Sequence, residues 1–184
     1  LIALIGLGNP GEEYLQTRHN IGFRIVDSLS KNLGAEFKPG KGEYLIAQGE
    51  YERNRLLLVK PTTYVNRSGL AVSRLLSLFP LGLSQLLVVC DDVNLPLGRI
   101  RIRHRGSDGG HKGLASIIYN LGEEGFPRLR MGIGGGERDD LVDFVLGGFT
   151  PAEEEVMGKA IERAAEACLC FVQDGLAEAM NRFN

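Results

Sequence analysis

Among the side chains able to move a proton near neutral pH, His19 stands out, because it follows the glycine-rich turn Gly6-Leu7-Gly8-Asn9-Pro10-Gly11 and precedes a run of helical periodicity. An imidazole at that point suits general-base chemistry, above all if Asp91, just beyond the apolar run Leu86-Leu87-Val88-Val89, accepts its second hydrogen bond. Such a pair would activate water. The same residues also read as a helix-start histidine and an unrelated solvated aspartate, and spacing leaves both readings open. Asn9 and Asn66 stand where regular elements end or begin, and their amides can donate to a developing carbonyl charge or accept from a water or a peptide. Turn or cap chemistry is the alternative for each, and Asn66 is well placed to cap the helix after it.

Other chemistries fit less well. Gly6, Gly8 and Gly11 satisfy G-x-G-x-x-G after a strand, but Pro10 removes a donor from the loop, and no second strand ends in a ribose-binding acid, since Asp27 falls inside the expected helix. The loop therefore reads as a substrate-facing or structural turn. His19, His104 and His111 show no compact His/acid spacing, which argues against a metal site. Ser68 and Ser107 lack a nucleophile motif, and the acids following Cys90 oppose thiolate formation. Cys90, Cys168 and Cys170 form no disulfide framework, which favours a reducing, cytoplasmic setting.

Charge is segregated along the chain. Arg99, Arg101, Arg103, Arg105 and Lys112 are opposed only by Asp108 between positions 99 and 112, although 21 basic against 23 acidic side chains leave a formal charge of -2. A local cationic edge of this kind suits phosphate, and Arg101 and Arg103 share strand parity; a solvated basic edge is the alternative. The overall balance makes a basic nucleic-acid tail a poor explanation.

The elements that must position these groups follow from hydrophobic patterning. Leu1–Ile5, Tyr44–Ala47, Leu56–Val59, Leu86–Val89, Ile100–Arg103 and Leu129–Ile133 read as strands, with the second and third forming a hairpin that Pro61 ends. Ile21, Ile25, Leu29 and Leu33 recur at helical spacing, as do Leu70, Val72, Leu75, Leu76 and Phe79, then Leu114, Ile117, Ile118 and Leu121. After Thr150-Pro151, a terminal helix carries Val156, Ile161, Ala164, Ala165, Leu169 and Val172. At 184 residues with 43% apolar content, the chain supports one domain over 1–184: a three-layer α/β/α fold around a twisted mixed sheet. No apolar segment reaches the roughly 20 residues needed to span a bilayer, and the opening run stops at Gly6 without a basic region before it, unlike a secretory signal.

Taken in order, the strings Gly6–Gly11, Thr17-Arg18-His19-Asn20, Lys60–Gly69, Cys90–Gly98, Gly109–Leu114, Arg128–Gly134 and Phe144–Gly147, with late Asp174-Gly175 and Asn181-Arg182-Phe183, closely resemble bacterial-type peptidyl-tRNA hydrolases over essentially the whole chain. The resemblance implies cofactor-independent hydrolysis of the ester joining a peptidyl group to the terminal ribose of tRNA. It implies a monomeric cytoplasmic enzyme that engages mainly the acceptor end. It assigns His19 as general base, Asp91 as its supporting carboxylate and Asn9 as the amide beside the catalytic water or oxyanion. Asn66 matches a peptide-binding amide, with His111 and Lys112 beside it in the substrate site, and Tyr14 and Val65 would shape the acyl or terminal-base pocket. Arg101, Arg103 and Arg130 match positions associated with tRNA phosphate. Two departures stand out: many relatives have asparagine in place of Lys112 and methionine in place of Val65. A non-catalytic RNA-binding relative is the alternative, distinguished by lack of hydrolysis.

Overall fold

The computed structural model describes residues 1–184. Its strands are β1 (Ile2–Gly6), β2 (Lys38–Pro39), β3 (Tyr44–Tyr51), β4 (Asn54–Pro61), β5 (Leu86–Asp92), β6 (Ile100–Arg103) and β7 (Arg128–Gly132); its α-helices are α1 (Ile21–Leu33), α2 (Ser68–Leu78), α3 (Lys112–Leu121), α4 (Leu141–Leu146), α5 (Pro151–Asp174) and α6 (Leu176–Phe183). All seven strands join one sheet in the order β2-β3-β4-β1-β5-β7-β6. β4, β1, β5 and β7 run parallel, while β3 pairs antiparallel with β4 and β6 antiparallel with β7. The mixed sheet therefore has a parallel centre and antiparallel edges. The unbroken apolar runs Ala3–Ile5, Leu56–Val59 and Leu86–Cys90 lie in its central strands, where helices cover both faces.

Alternation along β1 sends Leu4 to one core and Ala3 and Ile5 to the other. On the first face α1 contributes Ile21, Ile25 and Leu29, α5 the stripe Met157, Ile161, Ala164 and Cys168, and α6 Ala179 and Phe183. On the second, α2 supplies Ala71, Val72 and Leu75 and α3 supplies Leu114 and Ile117. These are the three expected layers.

Two expected core positions differ. Leu70 is 41% exposed, because the buried stripe of α2 runs through Ala71, Val72 and Leu75 one residue further round; Val156 is 44% exposed because the α5 stripe begins at Met157. The start of α5 follows its sequence signals: Thr150 Oγ1 accepts from the Glu153 N–H, Glu153 returns a bond to the Thr150 N–H, and Pro151 opens the first turn. The glycine motif serves packing. A Cβ on Gly6 would overlap the Gly22 carbonyl, and one on Gly22 would overlap the Val89 carbonyl, so these glycines let α1 lie directly on β1 and β5.

Candidate active site

The chemistry-bearing residues collect where the parallel strands end. β1 runs out at Gly6 into the loop carrying Asn9, β4 at Pro61 into the segment carrying Val65 and Asn66, and β5 reaches Asp91 and Asp92. Carboxyl ends of parallel strands form a crevice because the connecting loops diverge there to opposite faces. A cavity of about 700 Å³ occupies that crevice, with Asn9, His19, Val65, Asn66, Asp91, His111, Lys112 and Arg130 among its lining residues.

His19 lies in a single 3-10 turn, Arg18–Asn20, that leads into α1. Its Nδ1 is 2.9 Å from each carboxylate oxygen of Asp91. A carboxylate accepts only, so the hydrogen is on Nδ1 and the lone pair is on Nε2. His111 approaches Asp91 from the other side, with its Nε2 2.9 Å from Oδ1. Its Nδ1 accepts from the backbone N–H groups of Gly113 and Leu114, at 3.1 and 3.2 Å, and so caps α3. Both ring nitrogens of His111 are thus engaged, so it offers the cavity no free ring nitrogen. The two imidazoles stand 4.9 Å apart between centroids.

This packing sets the electrostatics. Burial pulls the His19 imidazolium toward neutrality, but the Asp91 charge and hydrogen bond outweigh it and hold the ring above its ordinary 6.5, while Lys112 acts to lower it. Burial alone would raise the Asp91 carboxyl; the facing His19 and His111 rings hold it well below the ordinary carboxylate range. Asp91 therefore stays ionised at 3% exposure. Neighbouring Cys90 is fully buried and its thiol is pushed strongly up by desolvation and by Asp91, so it is no nucleophile.

The fold brings His19, Asp91 and His111 together with one donor atom each within 4.8 Å, a compact cluster that linear spacing did not reveal. The same atoms satisfy one another as N–H to carboxylate bonds, and His111 spends its second nitrogen on α3. The cluster is fully accounted for as a hydrogen-bond network.

Asn9 is oriented with equal care. Its Oδ1 accepts from the Val65 N–H at 2.8 Å, which leaves its Nδ2 hydrogens as the free donors in the cavity wall. Its backbone is clamped by Asn20, whose Oδ1 accepts from the Asn9 N–H at 2.8 Å and whose Nδ2 donates to the Asn9 carbonyl at 2.9 Å. Asn20 falls within the recognised Thr17–Asn20 string, but reading the sequence gave it no separate role. Asn66 is exposed and makes no cap: the α2 cap position is Arg67, without a side-chain bond. The amide of Asn66 remains available to the cavity. Val65 is 7% exposed, contributing a methyl wall and the N–H that fixes Asn9.

Tyr14 is not in the cavity lining; it packs edge-on against Tyr64, which is, at 6.4 Å between centroids. Arg101 and Arg103 lie on one face of β6, and register places Arg130 opposite Arg101 and Arg128 opposite Arg103. Arg103 is exposed. Arg130 is partly committed, donating to the Ser107 carbonyl at 2.8 Å and lying 3.8 Å from Asp92. Buried Arg128 donates to the carbonyls of Gly106 and Glu124, tying together the loops at the two ends of α3.

One wall was given no role from the sequence, although Val145 and Leu146 fall within the Phe144–Gly147 string. Leu141, Val142, Val145 and Leu146 of α4 line the cavity, and spacings of one, four and five residues were the available helical signal. Arg18 anchors α4 beside His19, since its guanidinium covers the Phe144 ring at 4.1 Å and donates to the Phe144 carbonyl at 2.9 Å.

Comparison with known proteins supplies the context for this geometry. The family model for peptidyl-tRNA hydrolase matches residues 3–184. A peptidyl-tRNA hydrolase of Caldanaerobacter subterraneus subsp. tengcongensis is 47% identical over 181 residues, covering 98% of each chain. One from a Synechococcus strain is 49% identical over 185 residues, covering 98% of this chain and 82% of the relative. The crystal structure of peptidyl-tRNA hydrolase from Acinetobacter baumannii superposes with a TM-score of 0.94 at 35% identity, covering 100% of this chain and 94% of that one.

Proposed function

The chain belongs to the peptidyl-tRNA hydrolase family and is an enzyme that hydrolyses peptidyl-tRNA, and from that premise we propose that His19, Asp91 and Asn9 carry out the reaction. The observation that carries the assignment is the His19–Asp91 contact at 2.9 Å on the cavity wall, with Nε2 left as the basic nitrogen. His19 Nε2 takes a proton from water as the oxygen attacks the ester carbonyl. The resulting imidazolium is stabilised by Asp91, which His111 holds from its far side. The Nδ2 hydrogens of Asn9, aimed by the Val65 N–H, stabilise negative charge on the carbonyl oxygen. Collapse of the tetrahedral intermediate returns the His19 proton to the ribose oxygen, releasing peptide and reusable tRNA.

Asn66 and Lys112 contact the acyl or peptide portion; Val65 and the Tyr14–Tyr64 pair shape its surroundings, and the ring of His111 packs against it. Arg101, Arg103 and Arg130 take phosphates of the tRNA acceptor end, with Arg103 the most accessible of them. The enzyme acts as a cytoplasmic monomer, a setting that suits three buried free cysteines. No helix is long and apolar enough to cross a membrane. The test is release of labelled N-acetyl-aminoacyl product from its tRNA ester. His19→Ala, folded by circular dichroism, is expected to lose roughly 10²–10⁴-fold in turnover; equally weak hydrolysis by both proteins, with RNA binding retained, would place the chain among non-catalytic relatives.

A further inference from the structure

A second hollow, of about 500 Å³, runs between α2 and α3 and shares Asn66, Arg67 and Lys112 with the active-site cavity. Its floor exists because the helices nearly touch. The Gly69 N–H donates to Ser116 Oγ at 2.9 Å, and a Cβ on Gly69 would overlap the Ser116 carbonyl. On this floor Leu70 stands 41% exposed and Tyr119 87% exposed, two large side chains open to solvent.

The charges of the two hollows differ in kind. In the cavity, Asp91 is held by His19 and His111, Asp92 faces Arg130, and Asp108 accepts from the Gly110 N–H. The groove is lined by Arg67 and Lys112 with no acidic residue, and neither cation takes part in a salt bridge. Two unpaired cations above an apolar floor form a surface complementary to an extended chain bearing carboxylates.

We propose that this groove is a subsite for the peptide upstream of the ester-linked residue, and that Arg67 and Lys112 make it favour acidic side chains there. The proposal rests on the hydrolase reading above. A cavity of about 700 Å³ holds a ligand of ordinary small-molecule size, so a peptidyl chain of several residues has to leave it. The groove is continuous with it at Asn66, the amide assigned to the peptide. None of the three arginines assigned to phosphate lines the groove: Arg101 and Arg103 belong to β6 at the sheet edge, and Arg130 lines the cavity on its β7 side. A peptide is thus a better occupant than a tRNA phosphate.

The test uses four tRNA esters with alanine at the ester: N-acetyl-alanyl-tRNA, and N-acetyl-tripeptidyl-tRNAs with Glu-Glu, Leu-Leu or Lys-Lys upstream. The readout is the ratio of kcat/KM between Glu-Glu and Lys-Lys substrates for one protein, which cancels any general loss of catalysis. The expected ratio is roughly three to ten, the scale of one or two partly exposed ion pairs. The double variant Arg67→Gln, Lys112→Gln is expected to bring it close to one. A wild-type ratio near one, or a ratio unchanged in the variant, overturns the subsite. Equal loss on all four esters with the ratio preserved also overturns it and assigns the cations to tRNA. Failure of the wild type to hydrolyse any ester overturns the hydrolase reading itself, a result distinct from hydrolysis without discrimination.

Discussion

At the scale of single residues, catalysis depends on which atoms are already occupied. Asn9 Oδ1 is spent on the Val65 N–H, so only its Nδ2 side can serve substrate. Asn9→Asp keeps the shape and the Val65 bond but replaces the free donor by an acceptor. It is expected to lower kcat by roughly 10²–10³, the loss measured for removal of one preorganised oxyanion donor; kcat within threefold of wild type would show that Asn9 stabilises no charge. Lys112 acts on His19 through space, opposing the imidazolium. Removing that cation in Lys112→Asn raises the His19 pKa further, so the acid limb of kcat/KM should move to higher pH. The comparison of pH profiles checks this, and a shift to lower pH would contradict the sign.

At the scale of elements, α2 and α3 must approach closely for Asn66 and Lys112 to reach one site. Gly69→Ala places a methyl against the Ser116 carbonyl. Chemical denaturation is expected to show a loss of about 1–3 kcal/mol from this overpacking, together with reduced kcat/KM; a variant of unchanged stability would mean that the helices part freely. Elements with strong local signals were legible in the sequence: β6 matches its expected bounds, and α1 presents the expected Ile21, Ile25 and Leu29. α4 was not legible, because six residues after a glycine-rich, charged stretch make under two turns and draw their place from Arg18 and the cavity. α6 was hidden because Gly175, at φ 89°, breaks it from α5. In the site, His19, Asn9 and Asp91 stood out as candidates because each stands at a strand or loop end, while the roles proposed for them came from the family resemblance. The second bond on Asp91 was not legible, since His111 reaches it only once α3 folds across β5.

At the scale of the molecule, a chain of net charge -2 presents a cationic sheet edge where Arg101 and Arg103 share one face of β6. Affinity for tRNA should fall as salt rises, because each phosphate neutralised releases counterions. Arg103→Ala is expected to weaken binding and to reduce the slope of log affinity against log salt by about one, measured by titration of tRNA across a salt series. An unchanged slope would remove Arg103 from the phosphate-binding surface. The edge lies on the opposite side of β5 from β4 and β3.

The most direct test of the central claim is the pH dependence of kcat/KM on N-acetyl-aminoacyl-tRNA for the wild type and Asp91→Asn, with folding of both verified at each pH. In the proposed mechanism His19 is the neutral base, so activity should fall as pH drops through its raised pKa, placing the wild-type acid limb above 6.5. Asp91→Asn removes the charge that raises it and leaves burial in control, so the limb should move to lower pH while the plateau drops. A wild-type limb below 6.5, or one that Asp91→Asn leaves in place, would contradict a His19 base supported by Asp91.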